Sequence, residues 1–560
     1  MQITQRSALD VPLGWILRPG TRRRKTAYVV RPPRVALWPA VVVALALAGS
    51  ACAWVATRRS AGMTADSRAY LMAARAVADG NGVATRDGNG DPTPLTHLAP
   101  LYPIVLSIGG DAIPWARLLN AGLFATNIAL VALLVHRATG SPRAAALGAA
   151  LVLTSCPLLQ AHVMIWSEAL FIFLVLGGVW LLAQYFESGG LAVLALAASA
   201  AGLAAVTRYC GAAFVAAGCA ALLLQPQKRA ARRILEAAFY GLVAALPLVG
   251  WMARNLLLTG NAANRTVGFH PPTATQLMTG LRSVSEWVVF DFGLTSTVIG
   301  FVAVVALLLW PVVRRIVRGR SPNVDRSGVT LACGAAVIAY AAFLLVSLTL
   351  FDAHTPLDRR ILAPLFPIVL IVVLGAFARI QLRAPWPAAR VALAAGLVLF
   401  VGLQGARALY WVHVAPRKWL GYGCDRWAQS DLVRFAATLP ADALIYSNAD
   451  DLLYLRTGRL ARPIPRRMDP VARTTDGRYV HRLDGMRSDM LARGGFVLYF
   501  AGCARDYRLS EGKIRTTLGL KRSYAGRDGN AWVISSKTRA LELAARRIQS
   551  LSPSEGRGRG

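Results

Sequence analysis

The chain has 560 residues, of which 62 are lysine or arginine and 28 are aspartate or glutamate, so its formal net charge is +34. Hydrophobic residues make up 55% of it, gathered in many separate runs, and this excludes an ordinary soluble enzyme. The composition predicts a polytopic helical membrane protein. Basic loops that meet anionic lipid headgroups account for the charge, since no aromatic and basic nucleic-acid-binding motif is visible.

The first 36 residues are rich in arginine and precede the first long apolar run, residues 37–55. We predict that residues 1–36 form a cytoplasmic basic segment and that the apolar run crosses the membrane. A cleaved signal peptide is the alternative, because small residues lie near the end of the run at Ala51-Cys52-Ala53. The basic region before the run is too long for such a peptide, and the run is long enough to span.

The sequence predicts about eleven membrane-spanning helices. A bilayer core about 30 Å thick takes roughly 20 apolar residues per crossing. On that criterion the predicted spans are residues 37–55, 115–136, 144–159, 167–186, 191–206, 211–224, 234–258, 295–317, 329–351, 361–377 and 391–411. The third and fifth are short enough to tilt or to merge with a neighbour. Residues 37–411 are therefore assigned to one transmembrane domain.

Basic residues mark alternate connections between these spans, which the positive-inside rule assigns to the cytoplasm. The clusters are Arg22-Arg23-Arg24-Lys25, Arg137 with Arg143, Lys228-Arg229 with Arg232-Arg233, Arg314-Arg315 with Arg318 and Arg320, and Arg379 with Arg383 and Arg390. The amino terminus is thus predicted to be cytoplasmic. After an odd number of spans, the residues beyond Trp411 lie outside. They are themselves rich in arginine, but long translocated domains are largely exempt from the rule.

The first outer loop, residues 57–114, carries Asp66 just past the first apolar run. A short amphipathic helix on the membrane surface is predicted directly after Asp66, from the helical spacing of Tyr70, Leu71, Ala74 and Val77. The stretch 79–91, rich in Asp, Asn and Gly, lacks the full loop of a calcium site and is interpreted as turns. Residues 100–108 are too short to span and predict a second interfacial or re-entrant segment.

Beyond Trp411 the periodicity changes to short β-like runs at residues 443–447, 495–501 and 531–535, which alternate with helical stretches at 426–439, 482–493 and 538–551. This pattern predicts a small soluble α/β domain over residues 412–552, outside the membrane. A disordered Gly/Arg tail follows at 553–560. Cys424 and Cys503 fall in this domain. They would be able to pair in an oxidising compartment, and two free thiols are the alternative.

Asp66 is the candidate catalytic base, because a carboxylate at the membrane edge can take a proton from a substrate presented at the lipid surface. This position indicates chemistry on a lipid-linked molecule. A departing lipid phosphate needs cations, and arginine suits it through its fork of donors. The candidates on the predicted outer side are Arg208, Arg254, Arg359 and Arg360, with His97 and His354 as weaker ones. The histidines have no metal-ligand spacing, and no metal or other cofactor is expected.

Six stretches along the chain carry a family resemblance. They are Asp66-Ser67-Arg68-Ala69-Tyr70 with Ala73-Ala74-Arg75, Pro100-Leu101-Tyr102-Pro103, Trp166-Ser167-Glu168-Ala169-Leu170-Phe171, Thr207-Arg208-Tyr209, Asp358-Arg359-Arg360-Ile361-Leu362-Ala363-Pro364, and Ser447-Asn448 through Thr457-Gly458-Arg459. In this order, over nearly the whole chain, they resemble the GT-C membrane glycosyltransferases. Within that superfamily, the nearest resemblance is to bacterial relatives of the protein O-mannosyltransferases and the lipid A aminoarabinose transferases.

The resemblance implies a GT-C-like fold, a polyprenyl-phosphate-linked sugar as donor, an acceptor hydroxyl on the outer side of the membrane, and inversion at the anomeric carbon. The catalytic aspartate of the family matches Asp66. Ser67 stands where the O-mannosyltransferases have a glutamate, so an envelope glycolipid or polysaccharide is favoured over a protein as acceptor. The candidate substrate-binding residues are Glu168, Tyr102, His97 and Asp358.

Several candidates also have a purely structural interpretation. Arg208 can snorkel to the headgroups, and Glu168 can be an acid that the dipole favours at a helix N-terminus. Asp358 can pair with a neighbouring arginine on the surface. Asp66 can cap the amphipathic helix, a role compatible with catalysis. The stretch 447–459 can contact an acceptor or be a solvated connection between a strand and a helix.

Two other functional classes stay open at this point. A transporter or flippase of lipid-linked saccharides would line a path with intramembrane charges, whereas the acidic residues here cluster at one face. An O-antigen polymerase or ligase would carry its large outer loop between late spans, whereas this chain has its soluble mass at the carboxyl end. A reporter fused after Tyr410 would separate these classes.

Overall fold

The computed structural model describes residues 37–225, 228–263, 265, 267–289, 293–318, 328–352, 355–379, 387–468 and 475–534. The predicted cytoplasmic segment 1–36, the predicted last helix at 538–551 and the tail 553–560 lie outside these residues. His354 also lies outside them.

Within the described residues, six helices are long and apolar enough to cross a membrane: α1 (Leu37–Ala56), α4 (Ala112–Thr139), α7 (Glu168–Ser188), α10 (Ala230–Thr259), α13 (Val329–Leu350) and the part Ala394–Lys418 of α16 (Pro387–Lys418). The pair α5 (Pro142–Leu153) and α6 (Cys156–Val163), bent by 60°, makes a seventh if it counts as one span. Further apolar helices are α8 (Leu191–Thr207), α9 (Ala212–Leu223), α12 (Leu294–Arg318) and α15 (Leu365–Arg379). A multi-pass membrane protein is confirmed, and the count of eleven spans stays a prediction.

Two buried asparagines of α4 hold the chain segment that leads into α7. The side-chain amide of Asn120 donates to the carbonyl of Met164 at 2.7 Å. About two helical turns further on, Asn127 donates to the carbonyl of Ala169 at 3.2 Å and bonds the ring of His162 at 2.9 Å. Backbone carbonyls that are buried need such donors. The start of α7 is therefore fixed by α4.

The first outer loop contains two short helices, α2 (Ala65–Ala78) and α3 (Leu101–Ser107), with a hairpin of β1 (Ala84–Arg86) and β2 (Pro92–Pro94) between them. The helix predicted after Asp66 is confirmed, but Asp66 lies in its first turn and not before it. Thr64 is the N-cap residue, and its backbone N–H donates to Ser67 Oγ at 2.9 Å. The capping role considered for Asp66 was therefore wrong, because the cap falls two residues earlier.

Three distant chain segments, residues 61–64, 163–165 and 420–423, meet as a short parallel ladder. Gly62 pairs with Met164, and Met63 pairs with Gly421. Gly421 has a φ of +56°, and a Cβ placed there would lie 2.3 Å from the carbonyl oxygen of Met63. Both the positive φ and the close approach require glycine. This three-segment ladder fixes the start of α2 against the start of α7 and the end of α16.

The residues after α16 form a five-stranded mixed sheet in the order β4-β3-β5-β7-β6, covered by helices. The strands are β3 (Ile445–Ser447), β4 (Arg462–Pro463), β5 (Phe496–Phe500), β6 (Leu520–Gly526) and β7 (Gly529–Ile534). The helices are α17 (Asp425–Ala428), α18 (Asp431–Thr438), α19 (Asp450–Thr457), α20 (Tyr479–Arg493) and α21 (Glu511–Leu518). The three predicted β-like runs correspond to β3, β5 and β7, whereas β4 and β6 were not predicted. A separate soluble domain over 412–552 stays a prediction.

Two short helices complete the described part of the chain, α11 (Ala274–Ser285) and α14 (Arg359–Leu362). Asp358 caps α14, because its carboxylate accepts from the backbone N–H groups of Arg360 and Ile361 at 3.0 Å each. The surface ion pair considered for Asp358 was therefore wrong. Cys424 and Cys503 are both buried free thiols.

Candidate functional site

A cavity of about 450 Å³ opens beside Asp66. Its walls come from the start of α2, from α14, and from two segments that follow α16, residues 421–427 and 502–505. The lining residues are Met63, Thr64, Ala65, Asp66, Arg360, Gly421, Tyr422, Arg426, Trp427, Gly502, Cys503, Ala504 and Arg505. The first outer loop and the sheet region thus contribute to one cavity.

Four charged side chains form a continuous cluster beside this cavity. Arg360 contacts Asp66, with 2.7 Å between Nη1 and Oδ2, and its Nε donates to Glu168 Oε1 at 2.5 Å. The same Glu168 oxygen lies 2.6 Å from Nη1 of Arg208. Glu168 is fully buried, whereas about a third of the Asp66 side chain is exposed. The charged cluster therefore runs from the cavity wall, at Asp66, into the protein, at Arg208.

The start of α7 supplies the buried centre of the charged cluster. Glu168 is its first residue, where the helix dipole stabilises a carboxylate. Ser167 accepts a hydrogen bond from Nη1 of Arg208 at 3.3 Å, and its hydroxyl lies 3.0 Å from the hydroxyl of Tyr70 on α2. Arg208 thus turns inward to Glu168, and the snorkelling considered for it is not what the geometry shows. Both partners of Glu168 keep this buried carboxylate compensated.

Trp166 fixes the arginine that reaches the cavity. The guanidinium of Arg360 lies over its ring, with 4.2 Å from Cζ to the ring centroid. The indole N–H of Trp166 donates to Thr64 Oγ1 at 2.8 Å. Burial by itself would lower the pKa of Arg360, but Glu168 and Asp66 outweigh it and raise that pKa above the ordinary arginine value. Arg360 therefore remains a cation throughout the physiological pH range.

Other sequence candidates lie outside the charged cluster. Arg359 pairs with the buried Glu286. Arg254 donates to the carbonyls of Val83 at 3.0 Å and Leu95 at 3.2 Å, so it holds the backbone of the first outer loop. These contacts occupy both guanidinium groups with protein partners, and the structure does not bring them to Glu168.

Two further candidates differ in exposure. Tyr102 is fully buried on α3 and packs edge-on against Tyr70, with 5.0 Å between ring centroids, so it supports α2 from behind. His97 is exposed to solvent. The surrounding protein lowers the pKa of its imidazole, and the charge of Asp66 opposes that shift.

The polar stretch after β3 is used internally. Asn448 exchanges two hydrogen bonds with the backbone of Phe500. Asp450 pairs with Arg68 of α2 at 2.9 Å, and Asp451 accepts from the hydroxyl of Tyr422 at 3.0 Å. These residues are buried, so the solvated connection considered for 447–459 does not hold for the first part of that stretch. The pair between Asp450 and Arg68 docks the sheet region onto the first outer loop.

Sequence reasoning did not single out several cavity residues, namely Tyr422, Arg426, Trp427 and Arg505. Nothing local distinguishes Arg426 or Arg505 among the 62 basic residues of the chain. Trp166 belongs to one of the six stretches that carry the family resemblance, but its contact with Arg360 joins residues far apart in sequence. Among the described residues, no group of three or more His, Cys, Asp or Glu side chains is placed to hold a metal ion.

Comparison with solved structures shows the fold. The crystal structure of ArnT from Cupriavidus metallidurans bound to undecaprenyl phosphate is similar to this chain with a TM-score of 0.59, at 15% identity, over 90% of this chain and 99% of that one. The same protein in its apo state gives a TM-score of 0.46, at 13% identity over 90% and 98%. The apo oligosaccharyltransferase of Archaeoglobus fulgidus gives 0.45, at 13% identity over 76% and 64%. No protein-family model and no curated protein matches the chain. The first likeness confirms the GT-C fold expected from the sequence.

Proposed function

We propose that this chain is an integral-membrane glycosyltransferase. It moves a sugar from a polyprenyl-phosphate donor to a hydroxyl on a cell-envelope glycolipid or polysaccharide, with inversion. The observation that carries this function is the contact between Asp66 and Arg360 at the wall of an open cavity, in a chain with a GT-C fold. The structure of similar fold holds undecaprenyl phosphate, which supports a lipid phosphate as the donor's leaving group.

Asp66 acts as the general base. Its carboxylate takes the proton of the acceptor hydroxyl while that oxygen attacks the anomeric carbon and the bond from this carbon to the phosphate oxygen breaks. One oxygen, Oδ2, is held by Arg360. Among the described residues, no hydrogen bond to Oδ1 is found, so this oxygen is available to the acceptor. Arg360 thereby orients the base without occupying it.

Arg360 and Arg208 receive the departing phosphate. Arginine presents several N–H groups in a planar fork, and Arg360 uses Nη1 and Nε on its two carboxylates. Nε of Arg208 is buried without a hydrogen-bond partner among the described residues. An unpaired buried donor costs roughly 1–3 kcal/mol, and a phosphate oxygen would satisfy it. The negative charge of the departing phosphate thus matches the unpaired N–H donor of Arg208.

We test this function by mass spectrometry of the glycolipids and envelope polymers of a strain that lacks the gene. One sugar should be missing from one class of molecule, which would identify both donor and acceptor. The wild-type chain should restore it, and the Asp66→Asn chain should not. An envelope identical to that of the parent strain would contradict a transferase role.

The chain resides in the bacterial inner membrane with its cavity and the sheet region outside. The positive-inside pattern supports this orientation. The sheet region lines the cavity together with Asp66, so it covers the activated donor and limits hydrolysis.

An exposed thiol on the sheet region should therefore be accessible from outside the cell. We expect Lys513→Cys, on α21, to react with a membrane-impermeant maleimide in intact cells with a permeabilised outer membrane. Labelling of the native Cys503 in this region should be low, because burial raises the pKa of its thiol to about 11 and the thiolate is the reactive form. Arg229→Cys, in a predicted cytoplasmic loop, is the matched control and should react only after lysis. The reverse pattern would overturn the orientation and the outward site together.

A further inference from the structure

The cavity beside Asp66 is strongly basic on the side formed by the sheet region. Arg426 and Arg505 line it together with Arg360, whereas Asp66 is the one carboxylate among the lining residues that the structure describes. The described lining side chains, three arginines and one aspartate, carry a formal charge of +2, of which Glu168 behind Arg360 and Asp451 beside Arg505 compensate a part. A cavity of this charge attracts anions.

Arg426 carries the uncompensated part of this charge. Its guanidinium lies over the ring of Trp427, with 4.6 Å from Cζ to the centroid. In the part of the chain that the structure describes, Arg426 forms no ion pair, and its neighbour Asp425 pairs with Arg59 instead. Stacking occupies the face of a guanidinium and leaves its in-plane N–H groups free for an anion. Arg426 is thus presented to the cavity with its donors available.

Arg505 is held in place by two tyrosines. Its Nη1 donates to the hydroxyl of Tyr507 at 2.6 Å, and its Nη2 donates to the hydroxyl of Tyr422 at 3.2 Å. Its nearest carboxylate, Asp451, is 3.6 Å away and already accepts a hydrogen bond from Tyr422. A fixed arginine loses little freedom when a ligand binds. Arg505 is therefore preorganised on the cavity wall.

Position along the chain separates these two arginines from those assigned to the donor. Arg208 ends the apolar helix α8, and Arg360 lies just before the apolar helix α15. Arg426 and Arg505 follow the last apolar helix, which ends at Lys418. The phosphate of a polyprenyl donor is tied to the bilayer by its lipid. Because the proposed function already gives the donor phosphate to Arg360 and Arg208, we assign an anion at Arg426 and Arg505 to the acceptor.

We propose that Arg426 and Arg505 bind an acidic group, a phosphate or a carboxylate, on the acceptor, so that the acceptor is an anionic glycan. This inference rests on the proposed function, which supplies the distinction between donor and acceptor. It names the acceptor's chemical class and two residues that select it. Hydrogen bonds to charged groups contribute roughly 1.5–3 kcal/mol each, so loss of either arginine costs at least about tenfold in affinity.

Saturation-transfer NMR with a matched pair of sugars tests the proposal. The full chain is placed in phosphatidylcholine nanodiscs at low salt, and binding of glucose 6-phosphate is compared with that of glucose. We expect glucose 6-phosphate to bind at least about tenfold more tightly than glucose. Arg426→Gln and Arg505→Gln should each remove most of this preference, and Arg426→Lys should retain part of it. Arg434→Gln, an exposed arginine of α18 away from the cavity, should leave it unchanged.

A second measurement, native mass spectrometry of bound undecaprenyl phosphate, separates the two sources of anion. We expect Arg426→Gln and Arg505→Gln to bind this lipid as the wild-type chain does, which also shows that they are folded. If these variants lose the lipid and keep the sugar preference, their anion belongs to the donor and the proposal falls. Equal binding of the two sugars by the wild-type chain, or an unchanged preference in both variants, would also overturn it. Failure of the proposed function is visible separately, as an unaltered envelope in the deletion strain.

Discussion

Asp66→Asn should lower sugar transfer at least about a hundredfold while leaving the chain folded and inserted in the membrane. Asparagine has the shape of aspartate but cannot take up the acceptor's proton, and loss of a general base typically costs 10²–10⁴-fold. The partly exposed position of Asp66 limits the structural cost of the change. The measurement is the initial rate of transfer in membranes, using the sugar that the deletion strain lacks, at matched protein levels.

Asp111→Asn is the matched control for this substitution. Asp111 lies in the same outer loop, where its side chain caps α4 by accepting from the backbone N–H of Ile113 at 3.2 Å. Asparagine caps a helix about as well as aspartate, so this variant should transfer sugar at the normal rate. Near wild-type transfer by Asp66→Asn would remove Asp66 from the mechanism. An equal loss in both variants would point to the loop's structure and not to the base.

Arg360→Ala should reduce kcat/KM for the donor by about a hundredfold, chiefly through weaker donor use. Removing one partner of a buried charge pair costs roughly 2–5 kcal/mol, and here Asp66 loses its partner while Glu168 keeps only Arg208. Arg360→Lys should recover part of the loss, because a point charge lacks the bidentate fork. Arg208→Ala should show the same selectivity for the donor. The measurement is transfer rate against donor concentration, and separately against acceptor concentration.

Arg137→Ala is the control of the same chemical kind. Arg137 is in the last turn of α4 and pairs with Glu187 at 2.7 Å, far along the helix from the first outer loop. The substitution Arg137→Ala removes a partly buried ion pair that does not contact the cavity, so the kinetics with respect to the donor should stay normal. If Arg360→Ala and Arg208→Ala both keep wild-type donor kinetics, these arginines serve only the structure.

Apolar run length predicted most of the membrane helices because each crossing must satisfy its backbone internally, and this constraint is written locally in the sequence. The start of α2 was misplaced by two residues for an equally local reason. Thr64 and Ser67 together make the cap. The prediction instead took Asp66 as the possible capping residue because of its charge. Strand β6 was missed because Lys521, Arg522 and Ser523 are all exposed, which breaks the alternation expected of a strand, and a bulge interrupts its pairing between Arg522 and Tyr524.

The site could be predicted residue by residue but not as an arrangement. Asp66, Glu168, Arg208 and Arg360 were all named from charge, position and resemblance. That one glutamate joins both arginines follows only from the packing of α7 and α8 with α14. Arg254 and Arg359 looked equivalent in the sequence, yet the fold assigns them to a backbone loop and to Glu286. Which arginine meets which carboxylate is a tertiary property.

The three-segment ladder also sets the order in which contacts can form while the chain is being synthesised. Gly62 can pair with Met164 as soon as the first third of the chain has been made, but Met63 waits for Gly421. The last wall of the cavity waits longer, until Arg505 has been made and β5 has joined the sheet. Contacts so far apart in sequence form late, because the intervening chain must first be present and ordered. A ribosome that stops early therefore leaves in the membrane a protein that already holds its aspartate but lacks the walls of the cavity in which that aspartate would act.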